Sequence, residues 1–121
     1  MAKITLGGNE THTNGNLPEV GTKVENYTFV KDDMSPVKIE DFKGSNVILN
    51  IFPSVDTSVC ATSVRTFNEK ASKLDNTKVL CISRDLPFAQ DQFCAAEGIE
   101  NVVMLSDFKT GKFGTDYGVT F

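Results

Sequence analysis

Cys60, Cys81 and Cys94 are the residues of this chain best suited to do chemistry. An ionised cysteine is a strong nucleophile, whereas a protonated one serves most often as a small buried hydrophobe. The stretch PSVDTSVC, Pro53 to Cys60, separates Cys60 from the other two. It joins the apolar run NVILNIF to a helical pattern, so the sulfur falls where a loop turns into a helix. The first backbone N–H groups of a helix lack intrahelical acceptors, and the positive end of the helix dipole favours a thiolate. A thiol with an unperturbed pKa near 8.5 is mostly protonated at neutral pH, and helix N-termini are among the environments that lower that value. Thr57 or Ser58 is positioned to cap this helix, which would bring a hydroxyl close to the sulfur. Plain capping accounts for Thr57 equally well at this level, and plain strand termination for Pro53.

Cys81 sits inside VLCIS and reads as a core residue. Cys94 belongs to a second helical pattern and taken alone is undecided. The single histidine, His12, lies far off in a polar segment, and the cysteines are widely spaced. Neither a Cys–His nucleophilic pair nor a zinc site is indicated. No C-x-x-C pair exists, which argues against a thioredoxin-like disulfide oxidoreductase. A thiolate without an imidazole points to redox work.

The elements that must hold these cysteines follow from periodicity. KITLGGNETHTNG alternates around Gly7, Gly8 and Asn9, which predicts a hairpin with a tight turn. VENYTFV reads as a short strand and VKIEDFKG as a brief strand followed by a turn. Asn46 to Phe52 is nearly all apolar, the pattern of a strand covered on both faces, and Pro53 ends it. Cys60, Val64, Phe67, Ala71 and Leu74 then recur on one face of a helix. Lys78 to Ser83 is a second strand. LPFAQDQFCAAEG is a helix with Pro87 near its start and Gly98 at its stop, and NVVMLSD is a third strand. FKTGKFGTDYG reads as a polar, glycine-broken connection. Strand, helix, strand, helix, strand implies an α/β sheet flanked by helices.

Composition bounds the rest. At 121 residues, one domain spanning 1–121 is expected. A net charge of -4 and a pI of about 4.9, with lysines scattered singly, argue against nucleic acid or an anionic membrane as partner. No apolar run approaches the roughly 20 residues that span a bilayer, and MAKITLGGNE lacks the apolar core of a secretory signal. A cytoplasmic chain with reduced thiols is expected, since three cysteines do not form the even framework of a secreted scaffold. The final YGVTF stops on apolar residues, so the chain reads as incomplete at its C-terminus.

Pro53, Thr57 and Cys60 match the P-x-x-x-T-x-x-C motif of peroxiredoxins, set after a core strand and opening a helix. NIFPSVDTSVCATSVRTFN together with VLCISRDLPFAQDQFC closely resembles the thiol peroxidase subfamily, and the resemblance runs over essentially the whole chain. It implies a thioredoxin-like fold with an N-terminal β-hairpin, here without the C-terminal strands and helix of the family. It also implies reduction of hydrogen peroxide and organic hydroperoxides, with electrons from thioredoxin, in an enzyme that is commonly a homodimer and needs no metal or haem. By motif position Cys60 is implied to be the peroxidatic cysteine, with Pro53 and Thr57 around it. Cys94 is implied to be the resolving cysteine that closes a Cys60–Cys94 disulfide within one chain. Local unwinding around both cysteines is expected on oxidation, because disulfide Cα atoms must approach within about 7 Å. In that subfamily an arginine from a later strand helps hold thiolate and peroxide. Arg65 and Arg84 are the only arginines here and neither stands at that position, so its role passes to no residue. A non-catalytic thioredoxin-like binding domain is the alternative, motivated by the shortened C-terminus.

Overall fold

A computed structural model describes residues 2–31 and 33–120. The chain forms two compact units, Met1–Glu25 with Thr110–Phe121, and Asn26–Lys109. The chain end at Phe121, where the sequence suggests an interrupted element, lies outside the described residues.

The smaller unit opens with an antiparallel hairpin of β1 (Lys3–Leu6) and β2 (Asn9–His12), with Leu6 opposite Asn9. Gly7 and Gly8 both take positive φ, 58° and 83°, as the tight two-residue turn predicted for this stretch requires.

The larger unit is built on one five-stranded sheet. Its strands are β3 (Thr28–Lys31), β4 (Pro36–Lys38), β5 (Asn46–Ile51), β6 (Thr77–Ser83) and β7 (Val103–Ser106), in the spatial order β4-β3-β7-β6-β5. β5, β6 and β7 run parallel, while β3 is antiparallel to both β7 and β4. The sheet is therefore mixed. The strand covered on both faces is β6, whose Val79, Leu80, Cys81 and Ile82 are all buried. The sequence assigned that setting to β5. Among the described residues β5 pairs with β6 alone and forms an edge of the sheet, so its residues are at most half-buried and Ile51 is exposed. Val24 to Tyr27, expected to begin a strand, precede β3 without joining the ladder.

The two long crossovers are helices α1 (Ser58–Ala71) and α2 (Pro87–Glu97). Val64 is the deepest residue of α1, with Ala61 and Ala71 buried on the same face and Phe67 half-buried. Leu74, predicted to extend this stripe, lies beyond the helix and is exposed, since α1 closes at Ser72. Pro87 stands in the first turn of α2, where its missing N–H is harmless, and Gly98 ends the helix in the left-handed region at φ 67°. In the smaller unit, the segment read as a plain connection contains a third helix, α3 (Lys112–Asp116), with Phe113 stacked on Tyr117 at 4.3 Å. Among the described residues no helix is long and apolar enough to cross a membrane.

Candidate active site

The site grows from the end of β5. Phe52 N–H donates to the Ile82 carbonyl at 3.1 Å, one step beyond the strand. Pro53 has no N–H to continue the ladder, so pairing stops there. Its ring is exposed. The Ser54 carbonyl then accepts two hydrogen bonds from Thr57, from its N–H at 3.2 Å and from its hydroxyl at 2.9 Å. This turn delivers Thr57 to the N-cap of α1 in extended geometry (φ -97°, ψ 143°), and its carbonyl accepts the first helical bond from Ala61 N–H at 2.9 Å.

Cys60 is the third residue of α1, so its N–H belongs to the first turn, whose amides have no carbonyl within the helix to bind. The predicted hydroxyl cap is absent. The Thr57 side chain makes no capping bond to α1, its hydroxyl donating to the Ser54 carbonyl, and Ser58 is the first helical residue rather than the cap. The cap is formed by the backbone alone.

Cys60 and Cys94 are both half-buried, and both pack against one core cluster that includes Phe52, Val55, Val64, Val79, Cys81 and Met104. The fold thus brings the two cysteine-bearing helices onto the same apolar centre. No disulfide joins any of the three cysteines. Cys81 is fully buried as expected, and burial pushes its thiol from 9.0 up to about 11, with the Asn50 amide beside it pulling weakly the other way. Asn50 Nδ2 points to Cys81 Sγ at 3.7 Å and to Ser63 Oγ at 3.2 Å, and Ser63 Oγ donates to the Cys60 carbonyl at 2.8 Å. Polar contacts therefore run from the centre of the sheet to the backbone of Cys60.

A second polar group, unmarked by sequence reasoning, ties down the loop in front of α1. Asp85, just past β6, accepts from Ser54 Oγ at 2.6 Å, Val55 N–H at 2.9 Å and Ser83 Oγ at 2.7 Å. Gln90 of α2, with 0 % exposure, donates from Nε2 to Ser83 Oγ at 3.1 Å and to the Leu105 carbonyl at 3.0 Å. The sequence signal that could have found this group is a run of short polar residues at the carboxyl ends of parallel strands, where loops of α/β folds gather their functional groups. Arg65, five residues after Cys60 on α1, binds Glu97 and lies 5.8 Å from the Phe93 ring centroid. Arg84 is exposed. Among the described residues no cluster of three His, Cys, Asp or Glu side chains could hold a metal ion.

A sheet with a cysteine in the first turn of its first long crossover helix and another in the next helix is the arrangement that the peroxiredoxin resemblance implies. Comparison with known proteins agrees. The Redoxin family model matches residues 19–121. A thiol peroxidase of Corynebacterium glutamicum is 56% identical over 119 residues, covering 98% of this chain and 72% of that protein. One from Mycobacterium tuberculosis is 55% identical over 120 residues, covering 99% and 72%. Among solved structures, a peroxiredoxin-like protein from Aquifex aeolicus superposes with a TM-score of 0.85 at 32% identity, over 97% of this chain and 68% of that one. The thiol peroxidase of Chromobacterium violaceum shares the fold at a TM-score of 0.83 and 20% identity, over 97% and 68%. The chain belongs to the Redoxin family and, within it, to the thiol peroxidase subfamily of the peroxiredoxins.

Proposed function

We propose that this protein is a thiol-dependent peroxidase that reduces hydrogen peroxide and organic hydroperoxides through Cys60. The observation that carries the reading is the position of Cys60: the first turn of α1, one turn after Thr57, on the core cluster that also seats Cys94. The thiolate is the reacting form of a cysteine nucleophile. The Cys60 sulfur attacks one peroxide oxygen, the O–O bond breaks, and the sulfur is oxidised to a sulfenic acid while the other oxygen leaves as water or an alcohol after taking up a proton. Charge grows on that departing oxygen, and the amides of the first helical turn are donors suited to stabilise it. Thr57 has a narrower part than its hydroxyl first suggests. Its proton is committed to the Ser54 carbonyl, so toward a substrate its oxygen acts as acceptor and orients the peroxide O–H.

Cys94 then attacks the sulfenic sulfur, releasing water and leaving the Cys60–Cys94 disulfide. Thiol–disulfide exchange with a dithiol reductant reopens it, and we assign that role to thioredoxin. Pro53 ends the strand and shapes the loop. A cytoplasmic homodimer completes the reading, on the strength of the family resemblance. Half-exposure of Cys60 and Cys94 beside a fully buried Cys81 favours catalysis over a purely structural role for the pair. The test is one equivalent of hydroperoxide followed by intact mass. Loss of two hydrogens with a Cys60–Cys94 linkage in the peptide map supports the reading, and an unchanged mass with both thiols still titratable overturns it.

A further inference from the structure

Asp85 lies outside the motif around Cys60, and its carboxylate makes the loop contacts that lead to it. Ser54 Oγ and Val55 N–H both donate to it, at 2.6 and 2.9 Å. Ser54 Oγ in turn accepts Asp56 N–H at 3.1 Å, and the Ser54 carbonyl holds both the N–H and the hydroxyl of Thr57. Behind Asp85 the attachment is to the sheet: Ser83 Oγ donates to the carboxylate at 2.7 Å, and Ser106 of β7 donates its hydroxyl to the Asp85 carbonyl. Loops between strand and helix are ordinarily the adaptable parts of an α/β fold. This one is pinned through an acceptor-only group that takes three donors, and hydrogen bonds to an ionised acceptor are the strong ones.

We propose that Asp85 is a positioning residue for the peroxide reaction: its carboxylate fixes the Ser54–Val55 corner on which the orientation of Thr57 and the first turn of α1 depend. The proposal rests on the peroxidase reading for its chemical consequence, since a displacement of about 1 Å in a reacting constellation lowers rates on the order of 100-fold. Ser83 extends the same group to Gln90 of the Cys94 helix, so the corner is referenced to α2 as well as to β6 and β7.

The test compares wild type with Asp85→Asn, Ser54→Ala and the double variant, each confirmed folded by circular dichroism. An asparagine keeps the shape and turns one acceptor into a donor that faces donors. The expected result is oxidation of Cys60 by peroxide slowed about 10- to 100-fold in Asp85→Asn, less in Ser54→Ala, and no slower in the double variant than in Asp85→Asn. Alkylation of Cys60 by iodoacetamide, which needs no aligned hydroxyl, falls much less, and amide exchange quickens at Val55, Asp56 and Thr57 but not along β6. Wild-type oxidation rate and wild-type exchange in a folded Asp85→Asn protein overturn the proposal. Should that variant not fold, Ser54→Ala decides by the same two readouts. Hydrogen exchange needs no peroxide, so a wild-type protein inert to peroxide refutes the peroxidase reading while the exchange data still judge the clamp.

Discussion

Arg65 on the Cys60 helix is paired with Glu97 on the Cys94 helix, and its guanidinium lies 5.8 Å from the ring centroid of Phe93. The contact crosses from one cysteine-bearing helix to the other, beyond both cysteines in the chain direction. Both side chains are substantially exposed, so the pair adds little to global stability. Its effect is local: it joins α1 to the second half of α2, the half that carries Cys94 and that is expected to shift when Cys94 closes on Cys60.

Glu97→Gln is therefore expected to leave the unfolding midpoint unchanged and to speed closure of the Cys60–Cys94 disulfide after peroxide addition, as followed by quenched-flow mass analysis. The hydrogen bond from Arg65 holds the Glu97 carboxyl below its ordinary value. A depressed carboxyl stabilises the paired form above the ordinary glutamate range, and that contribution disappears as pH falls through the lowered value. The wild type should thus be latched at neutral pH and loosen only in acid, with added salt weakening the latch throughout. Equal closure rates in wild type and variant at low salt would count against it.

Cys60→Ser should abolish peroxide turnover, because no other thiol occupies a first helical turn. Cys94→Ser should still consume one equivalent of peroxide and stop at a sulfenic acid that dimedone traps, since the attack precedes resolution. Sustained cycling with a dithiol reductant in the first variant removes Cys60 from the reaction. The same result in the second, with no dimedone adduct, removes Cys94 from resolution.

Cys81 should resist alkylation in the folded protein at pH 8, where Cys60 and Cys94 are modified. Full burial and a thiol pushed to about 11 keep it protonated and out of reach. The sign of the linkage is set by that rise: the folded state keeps the proton while the unfolded thiol has lost it, so stability is complete below the unfolded value and declines as pH climbs toward 11. Cys81→Ala should flatten that alkaline decline. Denaturant melts of both proteins between neutral pH and pH 10 measure it, and parallel curves would show that the thiol contributes nothing there.

The sequence carried most of what positions the cysteines. Pro53, Pro87 and Gly98 each fix a boundary by a local rule that tertiary packing does not override, and the apolar run around Cys81 marks a strand with that cysteine in the core. The errors fall where burial depends on neighbours. Asn46 to Phe52 is as apolar as Lys78 to Ser83, and only the strand order makes one an edge and the other the centre. The same limit hid Asp85: its partners Ser54 and Val55 are 30 or 31 residues away, and no periodicity links them. Thr57 was found by motif, yet the direction of its hydroxyl proton depends on the turn at Ser54, which spacing alone does not reveal.

Disulfide formation requires the Cα atoms of Cys60 and Cys94 to come within about 7 Å, and each sits inside a formed helix, so local opening of one or both helices is the expected route to it. The fold makes them unequal in this respect. The start of α2 is fixed by Gln90, fully buried and bonded to Ser83 and to the Leu105 carbonyl, whereas its end is held by the exposed Arg65–Glu97 pair and the Gly98 cap. Oxidation should therefore raise amide exchange over residues 92–98 and in the first turn of α1 while residues around Gln90 stay protected. Gln90→Ala leaves a buried hydroxyl and a buried carbonyl short of a donor, a loss of about 1 to 3 kcal/mol, and should spread the opening to the start of α2. Exchange measured on reduced and oxidised protein decides the matter: uniform protection along α2 in both states, or opening confined to residues 87–90, would refute a hinge beyond Gln90.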